Sequence, residues 1–270
     1  MILYKYYTPA IGAIAVKDKT VAFTRPALFN DPFELTNMLD SGDDEESFIH
    51  EWRHQTIRNS VGILCLTRSP MNPLMWAHYG LNHTGVVVGY EITPDDEFFN
   101  SSERSIITAE EGAVIYSQTK PSFELNERTR QLLKKIKERT FIRSQDVPKD
   151  VHNALRNFFL YKHSVWSYEE EVRIVKIFEH QYRSKSLLDY AQNALDKPRQ
   201  IIGAGTSDMP EGSHCIFNKE VDIREIYFGV RCQKSTSLSI INDMEHSKCR
   251  AYQLSIEKNS WSLKANLIKP

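Results

Sequence analysis

The segment Trp166–Phe178, WSYEEEVRIVKIF, carries the residue types best suited to chemistry in this sequence. As an extended strand it would place Glu169, Glu171 and Arg173 on one face and apolar residues on the other. Carboxylates at two-residue spacing repel each other unless a cation or a ligand lies between them. Such a pair can act as a general base and stabilise developing positive charge. A solvated edge-strand face is the alternative, but the flanking aromatic residues suggest a covered strand and favour a functional face.

A second segment, Ile63–Ile92, combines two apolar strands with a polar turn. The first strand ends at Thr67, and a short helix after the turn carries Trp76, His78 and Tyr79. Aromatic and imidazole groups at the end of a strand are typical of a binding site. The same rings could instead pack in the core beneath the helical turn, and a lone histidine is more often a structural hydrogen-bonding residue.

The first 34 residues contribute two weaker candidates. On the first predicted strand Lys5 and Tyr7 share one face, and Tyr4 and Tyr6 share the other. The segment Thr24–Glu34 contains an Asn-Asp-Pro sequence that predicts a tight turn, since Asn and Asp side chains bond their own backbone and Pro fixes φ. Phenylalanines would pin this turn to the core, so it needs no ligand to explain it.

Composition and motifs argue against several classes of function. The 34 basic and 35 acidic side chains give a net charge of −1, which does not require a polyanionic partner. The four cysteines include no C-x-x-C pair, so we expect reduced thiols and no metal site. The sequence has no phosphate-binding glycine loop, no dinucleotide-fold fingerprint, no H-E-x-x-H and no G-x-S-x-G.

Hydropathy predicts a cytoplasmic protein without a membrane partner. No apolar run reaches the length that spans a bilayer. The first residues lack the charged start, long apolar middle and small-residue cleavage site of a secretory signal.

Runs of β-branched and aromatic residues predict strands, and apolar spacing near 3.6 residues predicts helices. The predicted strands are 2–7, 20–24, 62–67, 85–92, 112–117, 171–178, 221–229 and 251–256. The predicted helices are 9–16, 45–58, a short turn at 72–79, 123–140, 148–163, 186–195 and 234–246. Consecutive strands with irregular helical insertions predict an α+β fold, with a mainly antiparallel sheet or two small sheets packed together.

The pattern also predicts how the chain is organised. We expect a single domain over residues 1–270, with a helical insertion at about 118–164. The turn-rich stretch 196–220 is interpreted as a surface connection rather than a mobile lid.

Five segments together resemble a bacterial family that is known only as domain of unknown function 2971. They are LYKYYT, FNDPFE, MWAHYG with HTGVVVGYE, YKHSVWSYEEEVRI and REIYFG, which follow one another from about residue 2 to about residue 230. Each segment alone is weak, whereas the ordered set is specific. The family brings no established activity with it.

The order of features also resembles that of ADP-ribosyltransferases, including those that modify DNA. Such enzymes open with a strand bearing a polar NAD-contacting residue. They continue with a strand, a polar turn and a short helix bearing a tyrosine, and place a catalytic glutamate on a later strand. LYKYYT, ILCLTRSPMNPLMWAHYG and EEEVRIV would be these elements here. The resemblance implies an ADP-ribosyltransferase-like fold of split, mainly antiparallel sheets.

The same resemblance implies roles for individual residues, with NAD as the substrate. Tyr79 would stack on nicotinamide, and Glu171 would be the catalytic carboxylate that stabilises an oxocarbenium-like centre. Glu169 would orient or deprotonate the acceptor, while Lys5 or Arg173 would hold the pyrophosphate. The expected NAD contacts are Lys5, Tyr6, Thr67, Trp76, His78, Tyr79 and Arg173.

Three functional hypotheses follow. The first is an NAD-dependent ADP-ribosyltransferase, for example a toxin or phage-defence effector, with an unidentified protein or nucleic acid as acceptor. The second is a non-catalytic module that binds a nucleotide or a partner protein through the same cleft. The third is a metal-dependent hydrolase or nuclease that uses Glu169, Glu171 and His78, because hard divalent cations take carboxylate oxygens.

Overall fold

The structure is a computed structural model that describes ten stretches of the chain. They are residues 1–35, 61–96, 99, 105–121, 127–129, 131, 147–177, 215–217, 221–244 and 248–270. Within them the chain forms a mixed α/β fold around a large, mostly antiparallel sheet. The predicted α+β class is therefore confirmed at this level. No helix in these stretches is both long enough and apolar enough to cross a membrane.

Strands account for most of the regular structure. The strands are β1 (Ile2–Tyr7), β2 (Val21–Phe23), β3 (Val61–Thr67), β4 (Val86–Glu91), β5 (Ser105–Ile107), β6 (Ile115–Ser117), β7 (Tyr161–His163), β8 (Glu171–Ile177), β9 (Cys215–Phe217), β10 (Ile223–Phe228), β11 (Arg250–Ile256) and β12 (Leu263–Lys269). The helices are α1 (Pro9–Asp18), α2 (Pro73–His78), α3 (Lys149–Leu160) and α4 (Lys234–Asp243), with 3-10 helices at Pro26–Leu28 and Ser164–Glu169.

Eight strands form the main sheet, and one junction in it is weak. The strand order is β12-β11-β10-β4-β1-β3-β8-β5, antiparallel except for the parallel pair β10–β11. β1 is in register with β4 along its whole length, and β3 is in register with β8 along its whole length. In contrast, β1 and β3 are in register only at Tyr4 and Thr67. The two strands therefore diverge and leave a seam between the two parts of the sheet.

Different helices cover the two parts of the sheet. α1 and α4 pack on one face, where Leu3, Val88 and Ile226 belong to the largest core cluster. α3 packs on the opposite face of β3 and β8, against Ile63 and Val175. Alternation along β3 places Thr67 on the same face as Ile63. The seam thus opens beside α3, on the face that carries the polar side chains of β8.

The predicted elements that flank the seam are confirmed. The predicted strands 2–7, 62–67 and 171–178 correspond to β1, β3 and β8, and the predicted turn 72–79 corresponds to α2. The predicted helix 148–163 is wrong at its end, because α3 stops at Leu160. The three residues that follow, Tyr161–His163, form strand β7 and pair with β6.

Other predictions differ from the structure or fall outside it. Of the two predicted arrangements, the single mainly antiparallel sheet is the one found, and the two packed small sheets are not. The described residues form one eight-stranded sheet with a seam, plus the two-stranded pairs β2–β9 and β6–β7. The predicted helices 45–58 and 186–195 lie outside the described residues, as does most of 123–140 and most of the loop 196–220. The single-domain organisation stays a prediction.

Candidate functional site

A pocket of about 400 Å³ opens at the seam between β1 and β3. Its walls come from β1, the turn before residue 35, β3, α2, β7 and the start of β8. The residues that line it are Tyr4, Lys5, Tyr6, Thr24, Leu28, Phe29, Asn30, Glu34, Cys65, Leu66, Thr67, Met75, His78, Tyr79, Lys162, Glu169, Glu171 and Arg173. The pocket therefore joins segments that are far apart in sequence.

A local turn brings two carboxylates of the Glu-Glu-Glu run into the pocket. The 3-10 helix ends at Glu169, and Glu170 adopts a left-handed conformation with φ 45° before β8 begins. Glu169 and Glu171 are buried and Glu170 is exposed. The predicted position of Glu169 on the strand face was wrong, because the strand starts two residues later. The turn still places Glu169 beside Glu171, since both carboxylates contact Lys162 Nζ.

Arg173 is fully buried, and each of its three guanidinium nitrogens donates a hydrogen bond within the chain. Its Nε donates to Glu171 Oε1 at 2.9 Å, and its Nη1 donates to the Phe159 carbonyl at 2.8 Å. Its Nη2 donates to both carboxylate oxygens of Glu34, at 2.7 and 2.9 Å, and to Glu171 Oε2 at 3.0 Å. Gly112 lies against the Arg173 carbonyl where a Cβ atom would not fit, so the loop before β6 closes over this strand.

Lys162 is the second cation of the network and contacts three carboxylates. Its Nζ lies 2.5 Å from Glu169 Oε2 and 3.1 Å from both Glu171 Oε2 and Glu34 Oε1. The Trp166 ring lies beneath it, with the ring centre 5.3 Å from Nζ. Charges removed from water need such partners, because an unpaired buried charge is strongly destabilising.

The same network gives the two glutamates opposite proton affinities. Burial raises the pKa of Glu171, but Arg173 and Lys162 outweigh burial and hold this pKa well below its usual range. Burial raises the pKa of Glu169, and the lowering effect of Lys162 does not offset it. Glu171 therefore stays ionised, whereas Glu169 binds a proton more readily than an ordinary glutamate does. Neighbouring carboxylates with separated pKa values are typical of acid–base sites.

Tyr79 ties helix α2 to Glu169. Its hydroxyl donates to Glu169 Oε1 at 2.6 Å, and Asn30 Nδ2 lies 3.5 Å from the same hydroxyl. Burial and the hydrogen bond to Glu169 raise the pKa of Tyr79, so its hydroxyl keeps its proton. Asn72, the cap of α2, also donates to the Tyr168 carbonyl at 2.9 Å, which fixes α2 against the 3-10 helix.

Lys5 is the pocket cation that is left without a carboxylate partner among the described residues. Its Nζ donates to the Cys65 carbonyl at 3.2 Å, across the seam between β1 and β3. Desolvation lowers the pKa of Lys5, although the charge of nearby Glu171 opposes this effect. Binding of an anion would restore the lost electrostatic stabilisation of the ammonium group.

The charges of the pocket balance only if Lys5 is included. Three carboxylates, those of Glu34, Glu169 and Glu171, share the two cations of the network, Lys162 and Arg173. Protonation of Glu169 would leave one positive charge in excess. The pocket is therefore suited to an anionic ligand rather than to an additional cation.

The structure brings together most of the predicted site residues. Those at the pocket are Lys5, Tyr6, Thr67, His78, Tyr79, Glu169, Glu171 and Arg173. Trp76 is the exception: it is fully buried in a separate cluster with Val87 and Tyr227, and its Nε1 donates to the Pro70 carbonyl at 2.8 Å. The assignment of Trp76 as an NAD contact was wrong, because helix α2 directs its ring into the core.

Three residues of the site were missed by the sequence analysis. Glu34 and Lys162 complete the ion network, and Tyr116 accepts a hydrogen bond from the Glu171 backbone N–H at 2.8 Å. Glu34 and Lys162 lie within the segments FNDPFE and YKHSVW, which contributed to the family resemblance. A charged side chain within an otherwise largely aromatic segment was the sequence signal that could have indicated each of these two residues.

The geometry does not favour a metal site. In the part of the chain that the structure describes, no group of three His, Cys, Asp or Glu side chains is arranged to hold a metal ion. The pocket carboxylates already contact Lys162 and Arg173, so a divalent cation would have to displace them. His78 packs against Tyr168 and Tyr79, with ring centres 6.3 Å away in each case.

Comparison with known proteins gives one family match. Residues 75–174 match the family described as Protein of unknown function (DUF2971). This range contains β4, most of α2 and the first half of β8. It includes Tyr79 and both pocket glutamates of the Glu-Glu-Glu run, Glu169 and Glu171. Comparison with curated proteins found no match, and comparison with solved structures found none either.

Proposed function

We propose that this chain binds NAD in the seam pocket and transfers its ADP-ribosyl group to an acceptor. One observation carries the proposal. The three elements that the resemblance to ADP-ribosyltransferases singled out are β1, β3 with α2, and β8, which are widely separated in sequence. They are neighbours in the strand order β1-β3-β8 and line one pocket.

The pocket offers complementary contacts for a dinucleotide. Its volume of about 400 Å³ lies within the range of small-molecule sites, which is roughly 300–1,000 Å³. Lys5 is the cation available for a phosphate oxygen, since Arg173 is fully buried and already paired with Glu34 and Glu171. Of the two residues that the sequence analysis suggested for the pyrophosphate, Lys5 is therefore favoured over Arg173. The Tyr79 ring, held by its hydroxyl, is a rigid surface for nicotinamide.

The proposed chemistry breaks the bond between nicotinamide and C1 of the ribose. Nicotinamide leaves as a neutral molecule with the bonding electron pair, and positive charge develops on the ribose. Glu171, which stays ionised, supplies negative charge near this centre. The acceptor then forms a bond to C1 with its own electron pair and gives its proton to Glu169.

Glu169 is better placed than Glu171 to contact the reactants. Both oxygens of Glu171 accept hydrogen bonds from Arg173, and one of them also contacts Lys162. Glu169 faces Tyr79 and Lys162 instead, and each of its oxygens has one donor. We therefore assign proton transfer and substrate contact to Glu169, and charge stabilisation to Glu171.

The Glu-Glu-Glu run provides its own matched control. NAD labelled in nicotinamide is incubated with wild type and with Glu169→Gln, Glu170→Gln and Glu171→Gln, and released nicotinamide is quantified. We expect the exposed Glu170→Gln variant to release nicotinamide at the wild-type rate. The rate of release should fall at least about 100-fold in Glu169→Gln and in Glu171→Gln, which is the lower end of the range for loss of a general base. Thermal melts confirm that each variant is folded.

Calorimetry with NAD separates the proposal from the binding-only hypothesis. Saturable NAD binding by wild type without any release of nicotinamide, tested with cell lysate as a source of acceptor, would support a non-catalytic module. Release that is equal in all three variants would remove the roles assigned to Glu169 and Glu171.

A further inference from the structure

The β11–β12 hairpin carries a concentration of exposed apolar side chains. They are Ile256 (70% exposed), Trp261 (101%), Leu267 (55%) and Ile268 (46%). β12 is an outer strand of the sheet, and within the described residues it pairs with β11 alone. An open strand edge beside apolar side chains is a template for pairing with another strand.

The hairpin geometry determines which backbone groups point outward from β12. The Glu257 N–H donates to the Ser262 carbonyl at 3.1 Å, so these two residues form a hydrogen-bonded pair. The register continues with Ile256 opposite Leu263 and Leu254 opposite Ala265. Hydrogen-bonded and non-hydrogen-bonded pairs alternate in an antiparallel ladder. The N–H and C=O groups of Leu263, Ala265 and Leu267 consequently point away from β11.

A bulge limits the regular part of this edge. Tyr252 is opposite Leu267 and Ala251 is opposite Lys269, so Ile268 is an extra residue in β12. The regular free edge is therefore Leu263–Leu267, and its midpoint is Ala265.

We propose that β12 pairs antiparallel with β12 of a second copy of this chain, across a two-fold axis at Ala265. This register pairs all three outward-pointing residues, with about two hydrogen bonds per pair. Leu263 lies opposite Leu267 of the second copy, and Lys264 lies opposite Asn266. A shift that places the axis at Lys264 would bring two lysines directly opposite each other, which is destabilising.

The side chains of this edge favour a second copy as the partner. Leu263, Ala265 and Leu267 share one face, on which Ile256 lies beside Leu263 and Tyr252 lies beside Leu267. The two-fold axis would join Leu263 of one copy to Leu267 of the other, so an apolar stripe would run across the junction. A surface that complements itself in this way is the requirement for a closed two-fold interface.

The inference is independent of the proposed function. Three strands, β11, β10 and β4, separate β12 from the β1 side of the seam pocket. Assembly through β12 would leave the pocket mouth of each copy uncovered by this contact, so dimer formation and NAD turnover can be measured separately.

The direct test is the molar mass in solution, measured by sedimentation equilibrium for the full chain and for Ala265→Pro. The proline removes the outward N–H at the axis and leaves the β11–β12 bonds intact, as proline on an edge strand can. We expect wild type to have twice the monomer mass at micromolar concentration and Ala265→Pro to be monomeric with an unchanged far-UV spectrum. Lys264→Ala is the control and should remain dimeric. A monomeric wild type, or a dimeric Ala265→Pro, would overturn the proposal.

A cysteine variant tests the register. Two Ala265 residues opposite each other have Cα atoms about 5.5 Å apart, which lies within the range of a disulfide. Ala265→Cys should give a covalent dimer on mild oxidation, seen on a non-reducing gel. Ile256→Cys, exposed on the neighbouring strand, and wild type with its native cysteines should not. A lack of cross-linking at position 265 would contradict this register.

Discussion

Within the described residues the sheet buries carboxylates in two places, and the contrast between them separates a structural cluster from a candidate site. Glu225 on β10 accepts hydrogen bonds from the Tyr4 and Tyr227 hydroxyls, each at 2.8 Å, and from Arg250 at 2.7 Å. One carboxylate thus has three donors of its own. In the seam pocket the carboxylates outnumber the cations that contact them, because three carboxylates share Lys162 and Arg173.

The two clusters also differ in what remains available to a ligand. At Glu225 the phenols are neutral, the adjacent rings of Tyr227 and Tyr252 stack at 4.8 Å, and the single cation is half exposed. At the seam the cations are buried, one glutamate has a raised pKa, and Lys5 lacks a carboxylate partner among the described residues. At the seam the charge balance depends on Lys5, which lies beside the cavity and has no carboxylate partner among the described residues. At Glu225 the cation and the carboxylate contact each other directly, so we infer a ligand site at the seam and a structural role at Glu225.

The largest expected difference between the clusters concerns their arginines. Arg173→Met leaves three buried carboxylates with Lys162 as their remaining cation, so we expect a loss of about 3–5 kcal/mol of unfolding free energy. Arg250→Met removes a cation whose side chain is 53% exposed and should cost at most about 1 kcal/mol. Urea unfolding of both variants measures the difference. Equal losses would show that the seam network is no more tightly coupled than the Glu225 cluster.

The next effect is the acid dependence of Glu171. Because its pKa is lowered on folding, its ionised form stabilises the protein above the ordinary value of 4.5, and this stabilisation is lost as the pH falls further. Glu171→Gln should be less stable than wild type by roughly 3 kcal/mol at pH 7, and this gap should shrink below pH 4.5. Unfolding curves at several pH values test this, with Glu170→Gln as the exposed control. A gap independent of pH would contradict the assigned ion pairs.

Lys5 should affect ligand binding more than stability. Lys5→Met removes the available cation, and we expect NAD affinity to fall by about 10- to 100-fold, the value of one charge-assisted hydrogen bond. Since desolvation lowers the pKa of Lys5, wild-type affinity should decline as the pH rises towards 10.5, and the variant should lack this decline. Titration calorimetry provides the measurement, and Lys17→Met on the exposed face of α1 is the control. Undiminished affinity in Lys5→Met would exclude Lys5 as the phosphate contact.

The smallest expected effect comes from the tyrosines. Tyr79→Phe removes a hydrogen bond that lowers the pKa of Glu169, so this pKa should rise and the pH profile of nicotinamide release should move to higher pH. Tyr227→Phe removes a similar bond to Glu225 and should cost about 1 kcal/mol of stability without moving the profile. A shifted pH profile in Tyr227→Phe, or an unshifted one in Tyr79→Phe, would contradict the distinction between the two clusters.

The sequence was sufficient to predict the strands on both sides of the seam. β1 is rich in tyrosine, β3 is an apolar run, and β8 alternates β-branched with charged residues, all of which favour strands. The order of motifs predicted that they share one site. Trp76 was misassigned because spacing on a six-residue helix does not show which face meets the core. The position of Glu169 was wrong because a left-handed glutamate such as Glu170 has no reliable sequence signal.

The ion network could not be predicted for a different reason. Glu34 and Lys162 approach each other through tertiary packing of the turn before residue 35 on β7, and no local pattern encodes such a contact. Likewise, the separation of the pKa values of Glu169 and Glu171 depends on how two cations are divided among three carboxylates. Sequence pattern identified Glu169, Glu171 and Arg173 as candidates, and three-dimensional packing determines the charge states of these groups.

The most direct test of the central claim is a crystal structure of the protein soaked with NAD. The account predicts electron density in the seam pocket, with the nicotinamide ring against Tyr79, a phosphate oxygen about 3 Å from Lys5 Nζ, and the ribose beside Glu169. NAD bound elsewhere on the molecule, or an empty pocket at saturating NAD concentration, would contradict it.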